Sequence, residues 1–187
     1  MKSLTEFICK PLGGKRYNNS KNIAGKEVFL SVDADDHVYS NRYAKVIEVP
    51  NRYTGPVMPG DILLVHHNVF KFYTGSKGRN MSGKSFLDAD LFLIDHEQFY
   101  AYKRDGKWTP MPKYSFILPT TYGHGLSVEI KGNTPLHGEV WLTTPEMRSN
   151  GVVEGEKIIF TPESEYEFDI DGTIAYRVMN SDIAVLL

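Results

Sequence analysis

Apolar residues along this chain fall in short runs broken by turn formers. The runs are EVFLSV (27–32), YAKVIEV (43–49), DILLVHH (61–67), VFKFY (69–73), DLFLID (90–95), QFYAYK (98–103), SFILPT (115–120), LSVEI (126–130), GEVWLTT (138–144), KIIFTP (157–162), YEFDI (166–170), TIAYRVM (173–179) and DIAVLL (182–187). NRYTGP, RDGK, NTPLHG, RSNG and DIDG punctuate them at close spacing. Short Val-, Ile-, Phe- and Tyr-rich runs between such breaks read as strands of a sandwich or barrel. An i, i+3, i+4, i+7 stripe sustained over a dozen residues is hard to find, and only 86–102 fits either period. The expected class is all-β.

The runs repeat. PGDILLVHHNVFKFY (59–73) parallels EGEKIIFTPESEYEF (154–168), each with a turn glycine, an acidic residue, an apolar strand and an aromatic-rich strand. Upstream, 44–61 parallels 138–156; downstream, 91–102 parallels 176–187. Collinear similarity of this length predicts two homologous small domains. The first spans 26–108 and the second 109–187, with the Pro110/Pro112-containing stretch 104–113 as the link. The first carries an insertion at 74–85 where the second has only the DIDG turn. Residues 1–25, rich in Gly, Asn and Lys, are expected to be an extended arm.

Composition narrows the functions. Hydrophobic residues at 41% and charged residues at 24% exclude a wholly disordered chain. A formal charge of −2 gives nucleic-acid or anionic-membrane binding no bulk support. Cys9 is the only cysteine, so neither an intrachain disulfide nor a Cys-based zinc site can form, and it reads as a buried small apolar residue. No apolar run reaches the length of a membrane span and the N-terminus lacks a signal-like h-region, so the expectation is a soluble, cytoplasmic protein with no membrane partner.

One segment imitates chemistry. GRNMSGKS (78–85) matches the phosphate-binding pattern G-x-x-x-x-G-K-[ST], with LFLID (91–95) in the place of an acidic strand. A phosphate cradle needs a helix opening near Gly83, and Asp88 and Asp90 follow too soon for a crossover helix. The expectation is a hairpin loop, basic through Lys71, Lys77, Arg79 and Lys84, with Lys77, Arg79 and Lys84 as an anion-contact or docking patch. KFYTGSKGRN is also the nearest approach to an aromatic–basic nucleic-acid surface.

The other chemical signals are weaker. The adjacent pair His66–His67 is expected on a strand with its rings on opposite faces. The remaining histidines are scattered, DADD (33–36) reads as a hairpin turn, and DADLFLID (88–95) lacks calcium-loop spacing. No nucleophile elbow is present. A non-enzymatic protein without cofactor or metal is expected.

In the second copy, VVEGEKIIF, DGTIAYRVM and NSDIAVLL occupy, in order, three places of the C-terminal half of the GroES-type co-chaperonins. SFILPT (115–120) and HGEVWLTT (137–144) fit that family's first two strands more loosely, and PGDILLVHH repeats the Gly-Asp turn in copy one. The chain thus resembles this family, in a tandem-domain form similar to plastid or viral members. The resemblance implies two small GroES-like β-barrels in a homo-oligomeric ring that caps a GroEL-type chaperonin. It also implies a docking loop after the first strand. The counterpart is TYGHGLSVEIKGNTP (121–135), with Leu126, Val128 and Ile130 as docking residues between the hinges Gly123, Gly125 and Gly132. The family pattern has three apolar residues in succession, and here they alternate with Ser127 and Glu129. DADDHVYSNR (33–42) is the short polar equivalent expected in copy one, and TPEMRSNG (144–151) sits where the family extends a roof hairpin. A structural or assembly protein built on the same barrels, for example in a virion, is the alternative, and a nucleotide-binding protein using GRNMSGKS the third.

Overall fold

A computed structural model describes residues 2–23, 26–29, 39–74, 80–120 and 136–187. The chain is built almost wholly of antiparallel strands and divides into two compact units, Met1–Lys107 and Trp108–Leu187.

The first unit contains β1 (Phe7–Pro11), β2 (Ser20–Ile23), β3 (Lys26–Phe29), β4 (Tyr43–Glu48), β5 (Ile62–Val65), β6 (Phe72–Thr74), β7 (Asn80–Ser82), β8 (Phe86–Asp88), β9 (Leu91–Ile94) and β10 (Phe99–Arg104). Its main sheet runs β10–β5–β4–β1–β9–β8, with a seventh strand, Lys107–Pro110, outside β10; β2–β3 and β6–β7 are separate two-stranded ribbons. Alternation along β9 buries Phe92 and Ile94, while β1 buries Phe7, Ile8 and Cys9. The rings meet edge to face, Phe7 on Phe99 at 5.1 Å and Phe70 on Phe92 at 4.8 Å. Each such fully buried side chain contributes roughly 1.5–3 kcal/mol of transfer free energy.

β11 (Lys107–Pro110) carries the chain across the boundary. The second unit holds β12 (Tyr114–Pro119), β13 (Leu136–Leu142), α1 (Pro145–Ser149), β14 (Lys157–Phe160), β15 (Tyr166–Ile170), β16 (Thr173–Met179) and β17 (Ile183–Leu186), in the order β17–β14–β13–β12–β16–β15. Its core joins Ile117, Val140, Val152, Ile158, Phe160 and Val178.

Apart from β11 at the outer side of β10, the two sheets have the same strand order, and the likeness extends to register. A bulge lies between Ile8 and Cys9, after which Cys9 faces Val46; another lies between Phe116 and Ile117, after which Ile117 faces Val140. At the other edge β10 skips Tyr100 against β5, and β17 skips Ala184 against β14. The glycine turns agree too. Val46 N donates to Asp61 O and its carbonyl accepts from Gly60 N, both at 2.9 Å. Val140 N donates to Glu156 O at 2.9 Å and its carbonyl accepts from Gly155 N at 2.8 Å. Gly60 at φ 96° and Gly155 at φ 88° occupy backbone that a side chain disfavours by about 1–2 kcal/mol, hence a glycine in both turns.

Four sequence expectations differ from the structure. Residues 1–25 include β1, which lies between β4 and β9 in the middle of the first sheet. Its partner across the repeat is β12, and both strands end on a proline, Pro11 and Pro119, facing Ala44 and Gly138. The 104–113 stretch contains β11, because Asp105 and Gly106 both take positive φ and turn the chain tightly. The insertion's counterpart is the 161–165 link between β14 and β15, since DIDG joins β15 to β16 as Ala89 and Asp90 join β8 to β9. TPEMRSNG forms the short helix α1 instead of a hairpin: Thr144 Oγ1 caps the Met147 N–H, and Pro145 opens the first turn.

Candidate functional site

The segment expected to dock, with Gly123, Gly125, Leu126, Val128, Ile130 and Gly132, lies outside the described residues. Its two ends are described. β12 and β13 are antiparallel neighbours, with Pro119 opposite Gly138, so 120–135 leaves and re-enters the sheet at adjacent strands. In the first unit the same position is held by the chain between β1 and β4, residues 12–42. The counterpart is therefore longer than DADDHVYSNR, most of which is also outside the described residues, and it contains the β2–β3 ribbon. Its base is tied by Asn41, whose Nδ2 donates to the carbonyls of Leu12 (2.9 Å) and Lys15 (2.7 Å) while Oδ1 accepts from Tyr43 N (2.9 Å). Ser40 Oγ donates to His67 O at 2.7 Å.

A second feature forms around the basic insertion. Lys77 and Arg79 lie outside the described residues, whereas Lys84 is exposed. Asn80–Ser82 and Phe86–Asp88 are strands, so the helix that a phosphate cradle needs near Gly83 is absent there. Ser85, the residue that would serve magnesium, is buried and accepts from Gln98 Nε2 at 3.4 Å. A cleft of about 590 Å³ opens beside it, lined by Asn68, Tyr73, Met81, Gly83, Lys84 and Gln98 among others. A side chain at Gly83 would strike the Tyr73 ring, so the glycine leaves that ring its place in the wall.

The cleft's hairpin is held by residues that sequence reasoning left in the arm. Arg16 donates from Nε to Phe70 O (2.8 Å), from Nη1 to Ser82 Oγ (3.0 Å) and from Nη2 to Lys71 O (3.4 Å). Its guanidinium lies 3.6 Å over the Phe72 ring. Tyr17, fully buried, accepts the Phe72 N–H on its hydroxyl at 2.7 Å. β6 and β7 are thus anchored to the turn after β1.

The Gly60 turn borders a second, more polar cleft of about 460 Å³ formed by 58–62 and 103–106. Asp61 is buried there and accepts from Arg104 Nε (2.8 Å) and Nη2 (2.6 Å) and from Met58 N (2.8 Å). Burial raises the Asp61 pKa, but the Arg104 and Met58 hydrogen bonds and the Arg104 charge outweigh it and hold the carboxyl below its usual value. A group depressed in the folded state stabilises the fold above its unfolded pKa, and that stability is lost as pH falls through the folded value. Unfolding of the first unit is therefore expected to become easier with acid below about pH 4. An Asp61→Asn variant, compared by denaturant titration at neutral and acid pH, should be less stable at neutral pH and lose less on acidification.

Cys9 is fully buried in β1, and burial pushes its thiol up to about 12. Folded protein is expected to resist a chromogenic disulfide reagent that reacts at once in denaturant; rapid labelling of the native chain would contradict the position of β1.

The histidine pair differs from expectation. β5 ends at Val65, alternation ceases, and the His66 and His67 rings lie 4.0 Å apart instead of on opposite faces. His66 Nδ1 accepts from Asn68 N at 3.2 Å. Among the described residues no group of three His, Cys, Asp or Glu could hold a metal ion, and no helix is long and apolar enough to cross a membrane. No protein-family profile and no curated protein sequence matches this chain.

Proposed function

We propose that this chain is a co-chaperonin-like subunit without catalysis of its own: two small GroES-like barrels that, as a ring, close a chaperonin chamber while the partner's ATP cycle drives folding. The carrying observation is the equivalence of the two sheets in order, register, bulges and glycine turns. The motifs that resemble the family coincide with β14, β16 and β17, so the resemblance extends through the repeat to β5, β9 and β10. Fold likeness alone does not fix function, and the reading rests on what each unit presents after its first strand.

In both units that segment leaves and rejoins the sheet between neighbouring strands, at 12–42 and at 120–135. The second carries Leu126, Val128 and Ile130. The first carries Val28, Phe29 and Leu30, three apolar residues in succession as the family pattern has them. Either segment suits a short apolar contact with a chaperonin, and two per chain would add avidity.

The test is a pull-down with a GroEL-type chaperonin, with and without ATP. Wild type should associate in a nucleotide-dependent way. Leu126→Ser/Val128→Ser/Ile130→Ser and Val28→Ser/Phe29→Ser/Leu30→Ser should each weaken association, and their combination should abolish it. Failure of the wild type to associate in any nucleotide state would overturn the reading.

A further inference from the structure

Strand alternation gives the β6–β7 ribbon two unlike faces. Phe72 pairs with Ser82 across it, and Arg16 engages both side chains. Tyr73 pairs with Met81, so these two side chains share the opposite face. They are 43% and 59% exposed and form an apolar wall of the 590 Å³ cleft. A concave site of about 300–1,000 Å³ with an aromatic wall and a few placed polar groups is the usual form of a small-molecule site. Gly83 lies against the Tyr73 ring, where a Cβ would come within 2.8 Å of Cε2.

The polar side of the cleft is made of donors. Gln98 Oε1 accepts from Asp95 N at 3.0 Å, which turns Nε2 toward Ser85 Oγ. Ser85 Oγ is therefore the acceptor of that bond, and its own hydrogen has no acceptor among the described residues. Ser85 is only 6% exposed and lines the cleft, and a buried hydroxyl of this kind calls for a partner. Its carbonyl accepts from Leu93 N at 2.6 Å, which ties it to β9. Gln98 has a second Nε2 hydrogen, the Asn68 amide lies beside it, and Lys84 is the one cation among the described lining residues.

We propose that this cleft binds a small flat ring carrying one carboxylate. The ring lies against Tyr73 and Met81, since aromatic and thioether side chains both favour contact with a π surface. The carboxylate only accepts hydrogen bonds, so it takes the Ser85 and Gln98 hydrogens and faces the Lys84 ammonium. A single cation suits a single charge. A polyphosphate would need more donors and the helix start that the strands on either side of Gly83 replace. The site stands apart from the chaperonin reading, and its test involves no chaperonin.

Indoleacetate has both features and serves as the probe. Titrated into the isotope-labelled full chain, it should give saturable amide NMR shifts centred on Tyr73, Met81–Ser85 and Gln98. Indoleacetamide keeps the ring and loses the charge, so it should bind about tenfold more weakly, as loss of a charge-assisted contact implies. Acetate, which keeps the charge and loses the ring, should give no saturable shift. Lys84→Gln should weaken indoleacetate by about the same factor and leave indoleacetamide unchanged. Ser85→Ala should weaken both, and Tyr73→Ala should remove both. Unreactive Cys9 and unchanged shifts away from the cleft check that the variants are folded. Absence of a saturable shift with either ring compound, equal affinity for the two, shifts centred elsewhere, or tighter binding of adenosine monophosphate than of indoleacetate would each overturn the proposal.

Discussion

Phe160→Ala is expected to lower the stability of the second unit by about 3–5 kcal/mol. Phe160 is fully buried and belongs to the cluster of Ile117, Val140, Val152, Ile158 and Val178, against which Met147, Tyr176 and Ile183 pack. Its ring meets Tyr176 edge to face at 6.4 Å. Removing it costs the transfer free energy of the ring and leaves a cavity that strands on several sides cannot collapse to fill. The molecule supplies the probe. Trp108 and Trp141 are its only tryptophans; Trp108 lies on β11 beside β10 of the first sheet, whereas Trp141 lies on β13, so in a Trp108→Phe background tryptophan emission in denaturant follows the second unit alone. Cys9, the single thiol, follows the first. The variant should shift the emission midpoint strongly and the thiol-exposure midpoint little. A shift worth less than about 1 kcal/mol would mean that the cluster is not a closed core.

Gly138→Ala is the second large effect, about 3 kcal/mol. A methyl at 138 would strike the Ile117 side chain and come within 2.8 Å of the Leu118 carbonyl oxygen. Both Ile117 and its neighbours are fixed in the core, so the strand must shift. At the equivalent places the first unit has Ala44 and Cys9: a larger residue on β4 with a smaller one on β1. The two units thus divide a similar volume differently between facing strands. Ile117→Cys alone should destabilise by opening space, and the double variant Gly138→Ala/Ile117→Cys should recover a large part of both losses. Denaturation curves of the four proteins give the coupling directly. Strict additivity would show that the two positions do not share the space that the register assigns them.

Much of the fold was legible because its signals are local. Alternation and close turn spacing mark the class, and the glycine–acid turns at 60–61 and 155–156 mark the repeat. The first strand escaped because ICKP is short and precedes a polar stretch, so composition averaged over 1–25 hid it. Set against FILP of β12, with a proline ending both, it shows the missing first strand of the repeat. The histidine rings were misplaced because strand alternation was carried two residues past the end of β5. Arg16 and Tyr17 carried no sequence signal at all, since their partners, Phe70, Lys71, Phe72 and Ser82, lie far along the chain. The helix α1 was signalled by Thr144-Pro145-Glu146, a capped start that the family comparison overrode.

The position of β1 is the point on which the equivalence of the two units turns, and amide hydrogen exchange followed by NMR measures it most directly. Strand amides of Phe7–Lys10 should be protected as the equivalent amides of Ser115–Leu118 are, with Val46 and Gly60 matching Val140 and Gly155. Rapid exchange across 7–10 beside slow exchange across 115–118 would return residues 1–25 to an arm and contradict two units built on one plan.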